Sequence, residues 1–129
     1  MKKHSFEKIE RIRLKKDIER LYQKGNSIFV YPLKVRYVTV EAEEDSPIAA
    51  QVLITVSKKN FKKAVHRNRI KRLIREGYRL NKHLLSPLQG EIIHIHFHYI
   101  SKKLLDFTTI ENGIKELLKQ INNMTDKLH

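Results

Sequence analysis

The sequence predicts an α/β (α+β) fold in which helices pack on a four-stranded sheet as a two-layer sandwich. Helical segments with a regular apolar spacing begin and end the chain, β-rich segments lie between them, and a basic helix separates the last strand from the others. The 129 residues are 40% apolar, enough to bury one modest core. We therefore expect a single domain over residues 1–129, in the order helix, two or three strands, helix, strand, helix.

The first predicted helix covers about residues 15–24 and follows a basic N-terminal arm, residues 1–12. Gly25 supplies the signal that ends this helix. Its apolar side chains have the i, i+4, i+7, i+8 spacing of an amphipathic helix, at Leu14, Ile18, Leu21 and Tyr22.

The next part of the chain predicts strands on both sides of an acidic loop. Residues 28–40 are rich in β-branched and aromatic side chains, and Pro32 divides them into two short pieces. Residues 41–47 contain four acids, a serine and a proline, so we expect a turn whose flanking strands pair as a hairpin. The run 48–56 is almost wholly apolar, which predicts a strand in the middle of the sheet, covered on both faces.

The C-terminal part predicts one strand and one helix. Residues 91–100 alternate apolar side chains with histidines, which indicates a strand with one buried face, and it can lie parallel to an earlier strand because a helix precedes it. The final helix is expected over residues 108–122, capped by Thr108 or Thr109, with residues 123–129 as a flexible tail.

Three histidines share the other face of the predicted last strand, about 7 Å apart: His94, His96 and His98. This spacing could seat a divalent transition metal, but the strand offers no acid or second shell to complete such a site. An RNA contact is a second possibility. We favour the third, an exposed or half-packed polar face.

Positive charge is concentrated in one block of the chain. Eleven of its 27 lysines and arginines lie within residues 58–82, where Glu76 is the only acid. Such a field attracts polyanions, and nucleic acid is a more favoured partner than an anionic membrane. The absence of cysteine excludes disulfides and cysteine-based zinc sites. No apolar run is long enough to cross a bilayer, so we expect a cytoplasmic protein with no membrane partner.

The charged block predicts a helix with two distinct faces. A narrow stripe of Ile70, Leu73, Ile74 and Gly77 would dock on the sheet, and Glu76 could offset only Arg72 among the cations opposite. Solvated helix faces ordinarily mix both signs, whereas arginine forks and a helix N-terminus suit phosphate. The residues predicted to bind RNA are Lys58, Lys59, Lys63, Arg67, Asn68, Arg69, Lys71, Arg72, Arg75 and Arg79.

Aromatic residues are interleaved with cations around the first helix and first strands, as a groove for single-stranded nucleic acid requires. For each aromatic taken alone, burial in the core is an alternative explanation. These aromatics are Tyr22, Phe29, Tyr31 and Tyr37, with Lys15, Lys34 and Arg36 nearby.

The run VSKKNFKKAVHRNRIKRLIRE, residues 56–76, closely resembles the arginine-rich signature of the bacterial ribonuclease P protein family, whose hallmark is RNRIKR. The run RLKK at residues 13–16, with Tyr22 and Gly25, agrees in order and spacing, and the similarity covers roughly residues 11–121. Two features depart from the family pattern. The loop Asn60-Phe61-Lys62-Lys63 is one residue longer, and Ile18 occupies a position that is often aromatic.

This resemblance implies the order αβββαβα, with a left-handed βαβ crossover around the basic helix. It implies a protein subunit that assists a catalytic RNA in removing the 5′ leader from precursor tRNA. The RNA and its Mg²⁺ would perform the hydrolysis, so we expect no catalytic side chain, no cofactor bound by the protein and no obligate protein partner. By position, the ribozyme RNA would meet Arg67, Asn68, Lys71, Arg72 and Arg75. The leader would lie in a cleft between the first helix and the sheet, near Lys15, Ile18, Tyr22 and one of Arg36 or Tyr37.

A structural RNA-binding module, of a ribosomal or assembly type, is the alternative that the same charge and fold would serve. Leader-specific binding at Tyr22 separates the two. A DNA-binding protein is less favoured because no groove-reading helix is evident. A membrane-bound helix is less favoured still, because the core needs the apolar stripe.

Overall fold

The computed structural model describes residues 8–128, with side-chain environments for residues 9–125. These residues have the order αβββαβα that the resemblance implies, with 3₁₀ turns at Lys8–Glu10 and Lys82–Leu84. The elements are α1 (Lys15–Lys24), β1 (Asn26–Val30), β2 (Leu33–Glu41), β3 (Ala50–Val56), α2 (Ala64–Asn81), β4 (Glu91–Tyr99) and α3 (Phe107–Leu128).

The four strands form one sheet in the order β1-β2-β4-β3. The first three are antiparallel neighbours, and β3 runs parallel to β4, as expected for a strand reached through a helical crossover. Two predictions about β3 were wrong: it does not form a hairpin with β2, and it lies at an edge rather than in the middle. The reason is that β4 pairs with β2 and β3 along their whole lengths and so separates them.

One face of the sheet forms the hydrophobic core with α2 and α3. Cross-strand neighbours on this face come from β2, β4 and β3, for example Tyr37 beside Ile95 and Ile95 beside Val52. All three side chains are buried. The predicted apolar face of β4 is confirmed by this packing.

The opposite face of the sheet is partly covered by α1, which contacts β2 and β4. Consequently the histidine side of β4 is not simply a polar surface. His94 and His96 are only 3% and 4% exposed, while His98, farther along the strand, is half-buried. The expectation of a single buried face on this strand was therefore wrong, because a helix from the start of the chain lies across the other one.

The helix ends differ in part from the predictions. α1 ends at Gly25 as expected, but Leu14 is exposed at its start. α3 is capped by Asp106, whose Oδ1 accepts a hydrogen bond from the Thr109 amide at 2.9 Å, rather than by a threonine. The helix then continues through Leu128, so residues 123–128 are helical instead of a flexible tail.

The described part of the N-terminal arm docks along the free edge of β3. The Ile12 amide donates to the Val52 carbonyl at 2.9 Å, and the Glu10 carboxylate accepts a hydrogen bond from Lys82 Nζ at 2.9 Å. These contacts cover an edge that would otherwise present unpaired backbone groups. Residues 1–7 of the predicted arm lie outside the described residues. No helix within residues 8–128 has the length and hydropathy needed to cross a membrane.

Candidate RNA interface

The basic helix α2 is held by a buried apolar stripe. Ile70, Ile74 and Gly77 are buried as predicted, Leu73 is half-buried, and Tyr78 extends the stripe by one turn. A Cβ on Gly77 would lie 2.6 Å from Ile114 Cδ1, so the glycine permits the close approach of α2 to α3. The stripe packs on the core, and most of the helix's cations lie away from it.

The predicted RNA-binding residues lie on α2 and on the loop before it. Most lie on the outer side of the helix or loop with exposed side chains, namely Lys58, Lys59, Lys63, Asn68, Arg69 and Arg72. Lys71, Arg75 and Arg79 are half-buried on the same helix. Four of these cations, Arg69, Lys71, Arg72 and Arg75, are within two turns of helix, so they present closely spaced charge to a ligand.

Arg67 is engaged within the protein itself. Its Nη1 donates to the backbone carbonyls of Phe61 and Lys62, at 2.7 Å and 2.9 Å. Phe61 is buried, with its ring centroid 6.0 Å from that of Tyr99. The loop Asn60-Phe61-Lys62-Lys63 is thus anchored at both its aromatic side chain and its backbone. Arg67 shapes the surface before the helix, in addition to any contact it makes with RNA.

The single acid of the block pairs with a different arginine from the one predicted. Arg79 Nε donates to Glu76 Oε2 at 3.0 Å and its Nη2 donates to Oε1, and these bonds lower the pKa of Glu76. In a helix, an ion pair is more favourable when the acid precedes the cation than when it follows it. Glu76 precedes Arg79 and follows Arg72, which explains why it pairs with Arg79. Within the described residues Arg72 has no ion pair, so its charge is available to a phosphate.

A cation outside the basic block adds to the exposed basic side of α2, which we call the α2 surface. Burial, together with the nearby cations Arg11 and Arg72, lowers the pKa of Arg75. Arg11 is exposed and is placed there by the bridge between it and Val52 of β3. Sequence reasoning assigned it to the basic arm but not to the binding surface, because only the docking of the arm on β3 brings it near α2.

A second candidate surface lies between α1 and the sheet. The Tyr22 ring meets the His96 ring edge-on, with centroids 5.8 Å apart, and the Arg36 guanidinium carbon lies 5.0 Å from the Tyr22 centroid. Arg36 also donates a hydrogen bond to the Tyr22 carbonyl at 3.4 Å. Tyr22 nevertheless remains 54% exposed. The ring is held in place while much of its surface stays open, as base stacking requires.

The structure brings only some of the predicted cleft residues together. Of the two alternatives on β2, Tyr37 is the wrong one: it is 4% exposed and lies in the core, because adjacent residues of a strand point to opposite faces. Arg36 therefore lines the cleft. Ile18 is half-buried on α1, and Lys15 is exposed with its Nζ 3.9 Å from a carboxylate oxygen of Glu19.

The histidine row forms the polar floor beneath this cleft. His94 Nε2 lies 2.9 Å from Gln51 Oε1. The Thr55 hydroxyl lies 2.7 Å from both His96 Nε2 and His98 Nδ1. Burial lowers the pKa of each histidine, that of His96 to about 4. Among the described residues, no three histidine, aspartate or glutamate side chains converge as a metal site would require.

Comparison with known sequences gives one consistent family. A family model described as ribonuclease P matches residues 6–122. The ribonuclease P protein component of Porphyromonas gingivalis is 42% identical over 117 residues, which cover 88% of this chain and 84% of that protein. The component from Petrotoga mobilis is 32% identical, over 94% of this chain and 98% of that protein.

Solved structures agree with this result. The RNase P protein from Thermotoga maritima has a TM-score of 0.66 at 27% identity, covering 86% of this chain and 96% of that one. The protein from Staphylococcus aureus has a TM-score of 0.63 at 28% identity, over 87% and 94% of the two chains. From the match over most of its length, together with the fold and the arginine-rich helix, the chain belongs to the family of bacterial ribonuclease P protein components.

Proposed function

We propose that this protein binds the RNA subunit of ribonuclease P through the α2 surface and holds the single-stranded 5′ leader of precursor tRNA in the Tyr22 cleft. Membership of the family makes the chain an RNA-binding subunit in tRNA processing. In this proposal the RNA subunit, with its Mg²⁺, hydrolyses the phosphodiester bond. The protein side chains bind and orient the two RNAs.

The observation that carries the proposal is the division of α2 into an apolar stripe that packs on the core and a basic face with a single acid. Its one acid, Glu76, is bound to Arg79. The closeness of Arg11, Arg72 and Arg75 opposes folding through repulsion, since like charges at this spacing destabilise a helix surface. Phosphates between these guanidinium groups would relieve that repulsion and form bidentate hydrogen bonds.

The Tyr22 cleft favours the leader-binding role over a purely structural RNA-binding role. A basic helix alone would suffice to hold a folded RNA. An exposed tyrosine ring fixed by Arg36 and His96 suits a single strand, whose unpaired bases are free to stack. One such stack contributes about 1–3 kcal/mol.

The function is tested by cleavage of a precursor tRNA by a bacterial ribonuclease P RNA at low Mg²⁺. The reaction is run with the RNA alone, with the protein alone and with both. We expect the protein to stimulate the RNA and to cleave nothing by itself, because its cations reduce phosphate repulsion in the complex. Salt-sensitive RNA binding without stimulation would favour the structural RNA-binding role instead.

The α2 surface is tested by measuring affinity for the RNA subunit as a function of salt. The double variant Lys71→Ala, Arg72→Ala should flatten the slope of log K against log salt by about one unit per lost phosphate contact. Lys119→Ala, an exposed lysine on α3, is the matched control and should leave the slope unchanged. An unchanged slope in the double variant would remove α2 from the interface.

The cleft is tested with precursor and mature tRNA bound to the reconstituted holoenzyme. Tyr22→Ala should weaken binding of the precursor and leave mature tRNA binding unaffected, since only the precursor has a leader. Tyr22→Phe keeps the ring and should retain most of the affinity. Equal losses for precursor and mature tRNA would contradict leader binding at this site.

A further inference from the structure

The open sheet face carries a second row of aromatic, basic and polar side chains beside the Tyr22 cleft. In the strand register, Phe29 of β1 is opposite Lys34 of β2, Lys34 is opposite His98 of β4, and His98 is opposite Thr55 of β3. The adjacent row contains Arg36, which holds Tyr22. The two rows are two residues apart along the strands, which is about 7 Å.

Phe29 is not part of the hydrophobic core. Its neighbours along β1, Ile28 and Val30, pack against the core, while the Phe29 ring is 60% exposed on the opposite face. Lys34, next to it, is exposed as well. A large exposed ring leaves apolar surface in contact with water, which is unfavourable in the isolated protein. A ring beside a cation suits a partner that has both a planar face and negative charge.

His98 is oriented by a bond on one side of its ring only. Its Nδ1 lies 2.7 Å from Thr55 Oγ1, and the same hydroxyl lies 2.7 Å from His96 Nε2. Because a hydroxyl has one hydrogen, Thr55 donates to one of these rings and accepts from the other. In either case Nδ1 of His98 is used inside the protein. Its Nε2 has no hydrogen-bond partner among the described residues, and this nitrogen is not buried.

We propose that Phe29, Lys34 and His98 form a second nucleotide subsite for single-stranded RNA, next to the one at Tyr22. The Phe29 ring stacks on a base, the Lys34 ammonium contacts a phosphate, and His98 Nε2 hydrogen-bonds a base edge or a 2′-hydroxyl. This inference depends on the proposed leader-binding role of the cleft, which it extends by one nucleotide toward the β1 edge. Continuity with Tyr22 and Arg36, and the positive charge of both rows, identify single-stranded RNA as the occupant.

The subsite is tested with the reconstituted holoenzyme and precursor tRNAs whose leaders are shortened one nucleotide at a time. Phe29→Ala should weaken binding of long leaders about 5-fold or more. The loss should disappear below one leader length, at which the subsite is empty. Lys34→Gln should flatten the salt dependence for the same long leaders only. Leu104→Ala, another exposed apolar side chain, is the matched control and should have no effect.

Tyr22→Ala, measured in parallel, separates this proposal from the function it depends on. It should weaken binding of both long and intermediate leaders. A loss with Tyr22→Ala but none with Phe29→Ala would overturn the second subsite and leave the cleft intact. No loss with either variant would overturn leader binding altogether. A Phe29→Ala loss that is the same for every leader length would also overturn the subsite, and circular dichroism verifies that the variant is folded.

Discussion

Acidification from pH 7 to pH 5 is expected to destabilise this protein through the buried histidine at the floor of the cleft. His96 is buried beneath Tyr22, and burial, with the nearby His98 and Arg36, lowers its pKa from 6.5 to about 4. Below about pH 6.5 His96 therefore binds a proton in the unfolded chain but stays neutral in the folded chain. The stability that the neutral, buried His96 contributes is therefore fully present above about pH 6.5, and it is lost as the pH falls toward 4.

The size of the loss follows from the two pKa values. Between pH 7 and pH 5 it amounts to about 2 kcal/mol for this one side chain. His94 and His98 also have lowered pKa values and act in the same direction. A loss of this size is a substantial part of the stability of a small domain, and it should lower the urea midpoint by about 1 M.

The assay is urea unfolding followed by circular dichroism at both pH values and constant ionic strength. His96→Gln retains an amide that can bond Thr55 but cannot titrate, so its acid-induced loss should be smaller than that of the wild type by about 2 kcal/mol. Lys119→Ala, at an exposed position on α3, is the control and should behave as the wild type. The carboxylates titrate in all three proteins and cancel in the comparison. If His96→Gln loses as much stability as the wild type, His96 is not held neutral by burial.

Three further predictions concern local parts of the fold, each measured by urea unfolding. Gly25→Ala should cost about 1–3 kcal/mol, because a Cβ there would overlap the Leu21 carbonyl oxygen; an unchanged midpoint would contradict this close approach. Asp106→Ala should cost about 1 kcal/mol, as it removes the cap of α3, and Thr108→Ala should cost less; equal losses would restore the threonine as cap. Arg67→Ala should cost about 1.5 kcal/mol and make the preceding loop more sensitive to protease, and no change in either would show that its backbone bonds do not hold that loop.

The helices were predictable because their signals are local. The spacing of Ile70, Ile74 and Gly77 identifies the buried side of α2 whatever it packs against, since a helix buries one stripe in almost any fold. Gly25 likewise ended α1 as predicted. The density of cations without acids on the other side of α2 was equally visible, because net charge along a segment requires no knowledge of its neighbours.

The strand order was not predictable in the same way. The apolar run of β3 suggested a central strand, yet it lies at the edge, where the N-terminal arm and α2 cover it. A strand covered by other elements and a strand flanked by other strands require the same apolar composition. The acidic loop 41–47 likewise predicted a turn after β2 but could not predict which strand pairs with β2. The strand is β4, which lies between the two strands that the loop connects.

By itself, the sequence determined the helices, the alternation of the last strand, the basic face and the family of this protein. Tertiary structure decided which neighbours meet: Arg36 rather than Tyr37 at the cleft, Arg79 rather than Arg72 at Glu76, and Arg11 beside α2. The physical reason is the range of the interactions. Periodicity and charge act within a few residues, whereas the side of a sheet that becomes the core depends on register with a strand about sixty residues away, fixed only when β4 pairs with β2.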